Sequence, residues 1–257
     1  MVLGRIERDV ARGVHRICDS FVNWYLVEDA GRVTVVDAGL PPSWESLHRA
    51  LAEIGRIAGD LDAVILTHAH ADHLGFAERA RTELDIPVWA HEDEVWLTRH
   101  PLRYKTERLP IPYLRHAEAR RSLRGLLRTG ALFTKAIGEV STFEDGETLD
   151  LPGRPRVIYT PGHTFGHCSF HLPERDVVIS GDALITLDPY TGAEGPRVAP
   201  RAATADSRQA VRSLDRLAET GAETILPGHG EPWRGGAVEA AQRARSCLLY
   251  TSPSPRD

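Results

Sequence analysis

Four potential metal ligands lie within six residues of the chain, in the run His68-Ala-His70-Ala-Asp72-His73. They directly follow Ala63–Thr67, an apolar run that predicts a buried strand. Imidazole and carboxylate groups together suit borderline divalent metals such as zinc, iron and manganese. Without a cation, so many ionisable groups at one strand end would be costly to desolvate. The spacing therefore predicts a metal site in the loop after this strand.

Three further candidate ligands each lie beside a glycine, and each follows a predicted strand in the second half of the chain. His163 lies in Pro-Gly-His-Thr, Asp182 in Ser-Gly-Asp, and His229 in Pro-Gly-His-Gly. Singly, each carries little weight, because Pro-Gly-His is usually only a turn. Together they supply the ligands that a second metal needs, and ligand sites are often built at strand ends.

The elements that must position these residues alternate between strands and helices. Apolar or alternating runs predict eight strands: Phe21–Val27, Arg32–Asp37, Ala63–Thr67, Pro87–Ala90, Arg156–Thr160, Cys168–Leu172, Asp176–Ser180 and Glu223–Pro227. One helix is expected to begin with Ser43 as its cap, and another is expected to begin near Thr204 and stop at Gly221. Each half therefore predicts strands backed by helices, which gives two sheets with helical outer layers.

The segment at about 101–135 differs in charge from the rest of the chain. It contains nine basic and two acidic residues, a net charge of +7, whereas the whole chain carries −5. Helical spacing of four apolar residues predicts an amphipathic helix within it: Ala119, Leu123, Leu126 and Leu127. The segment is either a lid that attracts anionic groups or a solvated basic helix that pairs with the acidic remainder. The second interpretation is favoured, because charge runs are usually solvated faces.

Composition limits the remaining functional classes. The chain has 257 residues, of which 42% are hydrophobic and 26% charged, as in ordinary globular proteins. Its acidic balance gives no general attraction to nucleic acid or anionic membrane, and no apolar run approaches the ~20 residues of a membrane helix. Three distant cysteines without a CxxC pair indicate a reducing compartment. We expect a cytoplasmic protein that binds a small-molecule substrate and neither nucleic acid nor membrane; its oligomeric state is open, with a dimer possible.

We predict a single metallo-hydrolase domain over residues 1–246 that carries the basic helical insertion at about 101–135. A helical stretch at Val238–Ser246 is expected to end this domain. The last segment, Cys247–Asp257, is rich in Ser and Pro and is typical of a vector or adapter remnant rather than of a natural terminus. It is excluded from the fold argument.

The motif set HxHxDH, PGHTxGH, SGD and PGHG resembles that of the metallo-β-lactamase-fold hydrolase superfamily. Asn23–Val27 and Val36–Gly39 are similar to the opening strands of that family, so the resemblance extends from Phe21 to Gly230. It implies an α/β (α+β) fold, a four-layer αββα sandwich. It also implies two divalent metal ions, with zinc expected first and iron or manganese as alternatives.

The resemblance implies a role for each candidate ligand. It assigns three residues to the first metal: His68, His70 and His163. It assigns three to the second metal: Asp72, His73 and His229. Asp182 would bridge the two ions. His167, at the end of the PGHTxGH motif, is expected to support a ligand rather than bind metal itself.

Asp182 also separates this chain from true β-lactamases, which have Cys or Ser at that position. The resemblance then favours the glyoxalase II and lactonase-like branch, and a dinuclear hydrolase of a small ester, lactone or thioester. A metal-bridging hydroxide would attack the carbonyl, and Asp72 would orient that hydroxide or pass its proton to the leaving group. Tyr190, in the turn Asp-Pro-Tyr-Thr-Gly, is a candidate contact for the substrate carbonyl, as a tyrosine is in lactonase relatives.

Two other functions stay open at this point. One is a non-haem iron redox enzyme of the same fold, similar to persulfide dioxygenases. The other is a non-catalytic metal-binding domain. The full set of seven candidate ligands disfavours the second, because nothing in the chain requires metal for structure alone.

Overall fold

A computed structural model describes residues 4–251. Seven strands form the larger sheet in chain order: β1 (Arg5–Ala11), β2 (Val14–Asp19), β3 (Val22–Asp29), β4 (Arg32–Val36), β5 (Leu61–Ile65), β6 (Val88–His91) and β7 (Ser141–Phe143). Strands β1 to β4 pair antiparallel, whereas β4 to β7 pair parallel. Parallel neighbours need crossover connections. Four helices lie in those connections: α1 (Ser43–Glu53), α2 (Ala77–Glu83), α3 (Val95–Arg99) and α4 (Ala117–Arg128).

The second half of the chain forms a smaller sheet. It has the order β13-β10-β9-β8 and contains four strands: β8 (Arg156–Tyr159), β9 (Cys168–Leu172), β10 (Val177–Gly181) and β13 (Thr224–Pro227). A separate hairpin consists of β11 (Ile185–Leu187) and β12 (Glu194–Arg197). The helices of the second half are α5 (Ser207–Ala218) and α6 (Ala237–Thr251).

Alternation along the strands decides which side chains meet which layer. In β3, Trp24 and Leu26 pack among residues of α1 to α3, whereas Tyr25 and Val27 pack against the smaller sheet. In β10, Val178 packs instead against α5 and α6. The layers are therefore helix, sheet, sheet and helix. The predicted α/β class and the four-layer αββα sandwich are confirmed.

The helix boundaries correct two details of the prediction. Pro42, not Ser43, precedes α1, and the Ser43 hydroxyl accepts a hydrogen bond from the backbone N–H of Leu40 at 3.0 Å instead of capping the helix. Helix α5 begins at Ser207, because Asp206 caps it by accepting from the backbone N–H of Gln209. Helix α6 extends to Thr251, through the first residues assigned above to a tail; residues 252–257 lie outside the described part of the chain.

The insertion contains the predicted amphipathic helix as α4. Ala119 is buried, whereas Arg120, Arg121 and Arg124 are exposed. Among the described ion pairs, the only one that involves a basic residue of the insertion joins Arg121 to Glu118 within α4 itself. The expected pairing with the acidic remainder of the chain is thus not observed in residues 4–251. No helix in the same part of the chain is both long and apolar enough to cross a membrane.

Candidate metal centre

The candidate ligands lie at the carboxyl ends of strands from both sheets. The loop of His68–His73 follows β5, and His163, Asp182 and His229 follow β8, β10 and β13. Strands β8, β10 and β13 run in one direction, because β9 is antiparallel to β8 and β10 while β10 pairs parallel with β13. Their ends therefore share one edge of the smaller sheet, where the loop after β5 meets them.

One cluster of ligand atoms consists of three histidines. His68, His70 and His163 each offer one nitrogen, and these nitrogens lie within 4.8 Å of one another. All three side chains are buried, and burial lowers the pKa of each, to about 4 for His70. Neighbouring imidazoles lower the pKa of His68 and His163 further. The three rings are therefore neutral, which is the form of histidine that binds a metal.

A second cluster of ligand atoms joins a carboxylate to two histidines. Asp72, His73 and His229 offer ligand atoms that also lie within 4.8 Å of one another. Asp182 lies between the two clusters: its Oδ2 is 3.4 Å from Nε2 of His163 and 3.1 Å from Nε2 of His229. The structure thus brings all seven predicted ligands to one place.

The carboxylates dominate the electrostatics of the second cluster. Burial would lower the pKa of His73, but Asp37 and Asp182 raise it to about 10. Burial would raise the pKa of Asp182, but the rings of His229 and His73 hold it well below its ordinary value. The carboxylates in and around the second cluster thus attract positive charge, whether a proton or a metal cation.

Asp37 was not among the predicted site residues. Its Oδ1 accepts from the backbone N–H of Thr67 at 2.7 Å, and its Oδ2 accepts from the Thr67 hydroxyl at 2.8 Å. The same Oδ2 lies 2.9 Å from Nδ1 of His73, so Asp37 orients a predicted ligand. The available signal was an acid at the end of the predicted strand Arg32–Asp37, the position that ligands occupy after other strands.

His167, the residue that the sequence predicts to support a ligand, lies against Asp182. Its Nε2 accepts from the backbone N–H of Asp182 at 3.0 Å, and its Nδ1 lies 2.9 Å from the hydroxyl of Thr160. Burial lowers the pKa of His167 to about 3, so the ring stays neutral and Nε2 can accept. Gly228 lies close to the Asp182 carboxylate. A Cβ at this position would lie 2.2 Å from Oδ1 of Asp182, so only glycine allows this approach.

The donor set fits a divalent cation. Four buried atoms of the candidate ligands have no hydrogen-bond partner among the described residues: Nε2 of His68, His70 and His73, and Oδ1 of Asp182. Leaving such atoms unpaired costs about 1–3 kcal/mol each. A cation bound among them would satisfy several at once, with the nitrogen and oxygen ligands that zinc and iron accept.

A cavity of about 280 Å³ opens above the ligands. Tyr190 lines it, half-buried, with its ring edge-on to Tyr113 at 5.2 Å between centroids. Burial raises the pKa of Tyr190, so the phenol keeps its proton. Tyr104 also lines the cavity, with its ring centroid 4.4 Å from that of His70. The sequence analysis missed Tyr104, because a single aromatic residue in a basic segment belongs to no motif.

The chain is similar to proteins of one known superfamily. The sequence profile of the metallo-beta-lactamase superfamily matches residues 19–229. The "Probable metallo-hydrolase YflN" of Bacillus subtilis is 30% identical over 245 residues, which cover 88% of this chain and 87% of that relative.

Two solved structures are also similar. The metallo-beta-lactamase family protein TTHA1429 from Thermus thermophilus superposes with a TM-score of 0.65 at 30% identity, covering 89% of this chain and 75% of the other. TTHA1623, solved in a di-iron-bound form, superposes with a TM-score of 0.57 at 28% identity, covering 87% of this chain and 93% of the other. The profile match spans most of the chain and includes all seven predicted ligands. The chain therefore belongs to the metallo-beta-lactamase superfamily.

Proposed function

We propose that the protein is a hydrolase that uses a dinuclear metal centre on a small ester, lactone or thioester. The observation that carries this proposal is the position of Asp182, within 3.4 Å of His163 in one ligand cluster and 3.1 Å of His229 in the other. A carboxylate so placed can bind two cations and hold their separation, as two-metal hydrolysis requires.

The residues around the centre have distinct tasks in this reaction. Divalent ions bound there would lower the pKa of a coordinated water to around 7 and polarise the substrate carbonyl. Asp72 is partly exposed and lines the cavity, with its Oδ2 3.7 Å from Nε2 of His229. Its carboxylate is placed to take the proton of that water and pass it to the leaving group. The neutral phenol of Tyr190 would donate a hydrogen bond to the substrate carbonyl.

Iron chemistry at the same ligands is the second candidate function. The observation in its favour is the di-iron form of TTHA1623, which is 28% identical to this chain. Metal analysis of protein purified without added metal separates the two candidates. About two zinc ions per chain would support the hydrolase. A single iron per chain, with oxygen consumption on a persulfide, would refute it.

Activity measurements test the proposed ligands. We expect turnover in a panel of lactones, esters and thioesters. We expect none with β-lactams, because Asp182 stands where true β-lactamases have Cys or Ser. The double variant Asp72→Ala/His73→Ala should lose that turnover, whereas the control Glu92→Ala, exposed on the turn before α3, should keep it. Full activity of the double variant toward esters and lactones would show that the site assignment is wrong.

A further inference from the structure

The insertion forms one wall of the cavity above the metal ligands, and that wall is apolar. Leucine and isoleucine side chains from four parts of the insertion line it: Leu102, Ile111, Leu114, Leu123, Leu126 and Leu132. Phe21, Ile185 and Pro189 also line the cavity, and Phe21 packs against the same apolar cluster as Leu126 of the insertion. The candidate ligands lie at the floor, since His70, Asp72, His163, Asp182 and His229 also line the cavity. A substrate whose carbonyl reaches the floor must therefore place its neighbouring atoms among these apolar side chains.

The charge of the insertion lies outside the cavity. Among the described residues that line it, the charged side chains are those of Asp72 and Asp182, both candidate ligands. None of the nine basic residues of the insertion belongs to this lining. Helix α4 explains the separation, because its arginines project to solvent while Ala119 and Leu126 face inward. An anionic substituent inside the cavity would therefore find no arginine or lysine to pair with.

Few polar groups remain in the lining to bind a hydrophilic substituent. The Ser122 hydroxyl already donates to the backbone carbonyl of Pro189 at 2.6 Å. Apart from the candidate ligands, the side-chain hydroxyls left in the described lining are those of Tyr104 and Tyr190. Tyr104 lies against His70, next to the ligands rather than along the insertion wall. Polar recognition is thus confined to the floor of the cavity.

We propose that this cavity binds an uncharged aliphatic acyl chain, whose carbonyl lies at the metal centre and whose chain runs along α4. This inference rests on the proposed function and names its substrate class. The cavity volume of about 280 Å³ is at the lower end of the ~300–1,000 Å³ of small-ligand pockets, which suits a chain of medium length. Substrates with carboxylates near the scissile bond, such as glutathione thioesters, are disfavoured because the lining offers them no cation.

Binding of alkyl hydroxamates to the zinc-loaded protein tests this proposal without any turnover. The hydroxamate head binds metal, and the chain length is varied from acetohydroxamate to decanohydroxamate in calorimetric titrations. We expect Kd to fall about fourfold for each added methylene until the cavity is full. Suberic acid monohydroxamate, which ends in a carboxylate, should bind at least about tenfold more weakly than octanohydroxamate. A Kd that does not depend on chain length would overturn the proposal.

Two leucines on α4 provide a matched pair of variants. Leu123 and Leu127 are 42% and 53% exposed, and only Leu123 lines the cavity. Leu123→Lys should weaken octanohydroxamate binding at least about tenfold and favour the carboxylated probe instead, because it places a cation in the apolar wall. Leu127→Lys should leave both Kd values within about twofold. Identical behaviour of the two variants would refute the assignment of this wall.

Hydrolysis of acyl esters separates failure of this inference from failure of the proposed function. Turnover of an acetyl ester with no preference among longer chains would retain the hydrolase and overturn the acyl-chain site. Chain-length-dependent hydroxamate binding without turnover of any ester, lactone or thioester would refute the hydrolase but support the acyl-chain site.

Discussion

Replacing Asp37 by asparagine should weaken binding of the second metal more than binding of the first. Asp37 accepts from the backbone N–H of Thr67 on one oxygen, and its other oxygen faces the Thr67 hydroxyl and Nδ1 of His73. An asparagine has one acceptor oxygen, so its NH₂ group must face either the Thr67 N–H or the His73 ring. In the first case the asparagine NH₂ group and the Thr67 N–H, both hydrogen-bond donors, face each other. In the second, His73 must carry its proton on Nε2, the nitrogen that faces Asp182 at 3.8 Å.

The size of the effect follows from either orientation. A buried donor without an acceptor costs about 1–3 kcal/mol. That free energy corresponds to a factor of roughly 10–100 in affinity, the range found when partners of metal-bound histidines are removed. We therefore expect the second zinc to bind about 10–100-fold more weakly in Asp37→Asn. The first zinc, on His68, His70 and His163, should lose less affinity, because Asp37 reaches it only through the Thr67 hydroxyl, which lies 3.0 Å from Nδ1 of His68.

Zinc titration against a competing chelator resolves the two binding events. Asp85→Asn is the matched control, because Asp85 also has a left-handed backbone, with φ of 54° against 62° for Asp37, but is exposed. The control should bind both zinc ions like the parent protein. Unchanged affinity for both ions in Asp37→Asn would refute the role given to this carboxylate. So would an equal loss at both sites.

Three further predictions concern protonation and substrate contact. Glu94 is 1% exposed, and burial raises its pKa from 4.5 to about 7. Between pH 4.5 and about 7 the folded protein therefore binds more protons than the unfolded chain, and its stability falls as the pH rises through that range. Glu94→Gln should therefore raise the free energy of unfolding of the zinc-loaded protein by up to about 3 kcal/mol at pH 8 and by much less below pH 5. The control Glu92→Gln, at an exposed position, should change that free energy by no more than about 0.5 kcal/mol. A gain for Glu94→Gln that does not depend on pH would contradict this reasoning. The pKa of His73 is about 10 and that of His229 is also raised, so the second zinc must displace at least one proton at pH 7. Calorimetry in buffers of different ionisation enthalpy should find that release. No release would show that the rings are already neutral. Tyr190→Phe should lower kcat on the best ester or lactone about 100-fold with little change in KM. Tyr113→Phe, which alters the adjacent ring, should leave kcat unchanged. An unchanged kcat in Tyr190→Phe would limit Tyr190 to lining the cavity.

Local sequence predicted those elements whose side chains alternate cleanly. The bounds of β9, Cys168–Leu172, match the prediction, and most other predicted strands differ by one or two residues. Strands β1 and β2 were missed because charged residues interrupt their pattern. Arg16 in β2 is buried, with its guanidinium bonded to Asn23 and to Glu231 far along the chain. Only the folded chain supplies those partners, so the sequence alone could not show a strand with a buried arginine.

The sequence by itself determined the seven candidate ligands, because their types and spacing are local and each follows a recognisable strand. Tertiary structure decided what supports and what covers them. Asp37 meets His73 because β4 and β5 are neighbours in the sheet, a pairing that no local pattern encodes. The amphipathic spacing of α4 predicted a shared face for Ala119, Leu123 and Leu126, whereas Leu127 lies outside the cavity lining. Periodicity does not state what that face contacts. Only the folded chain places that apolar face over the metal ligands and its arginines in solvent.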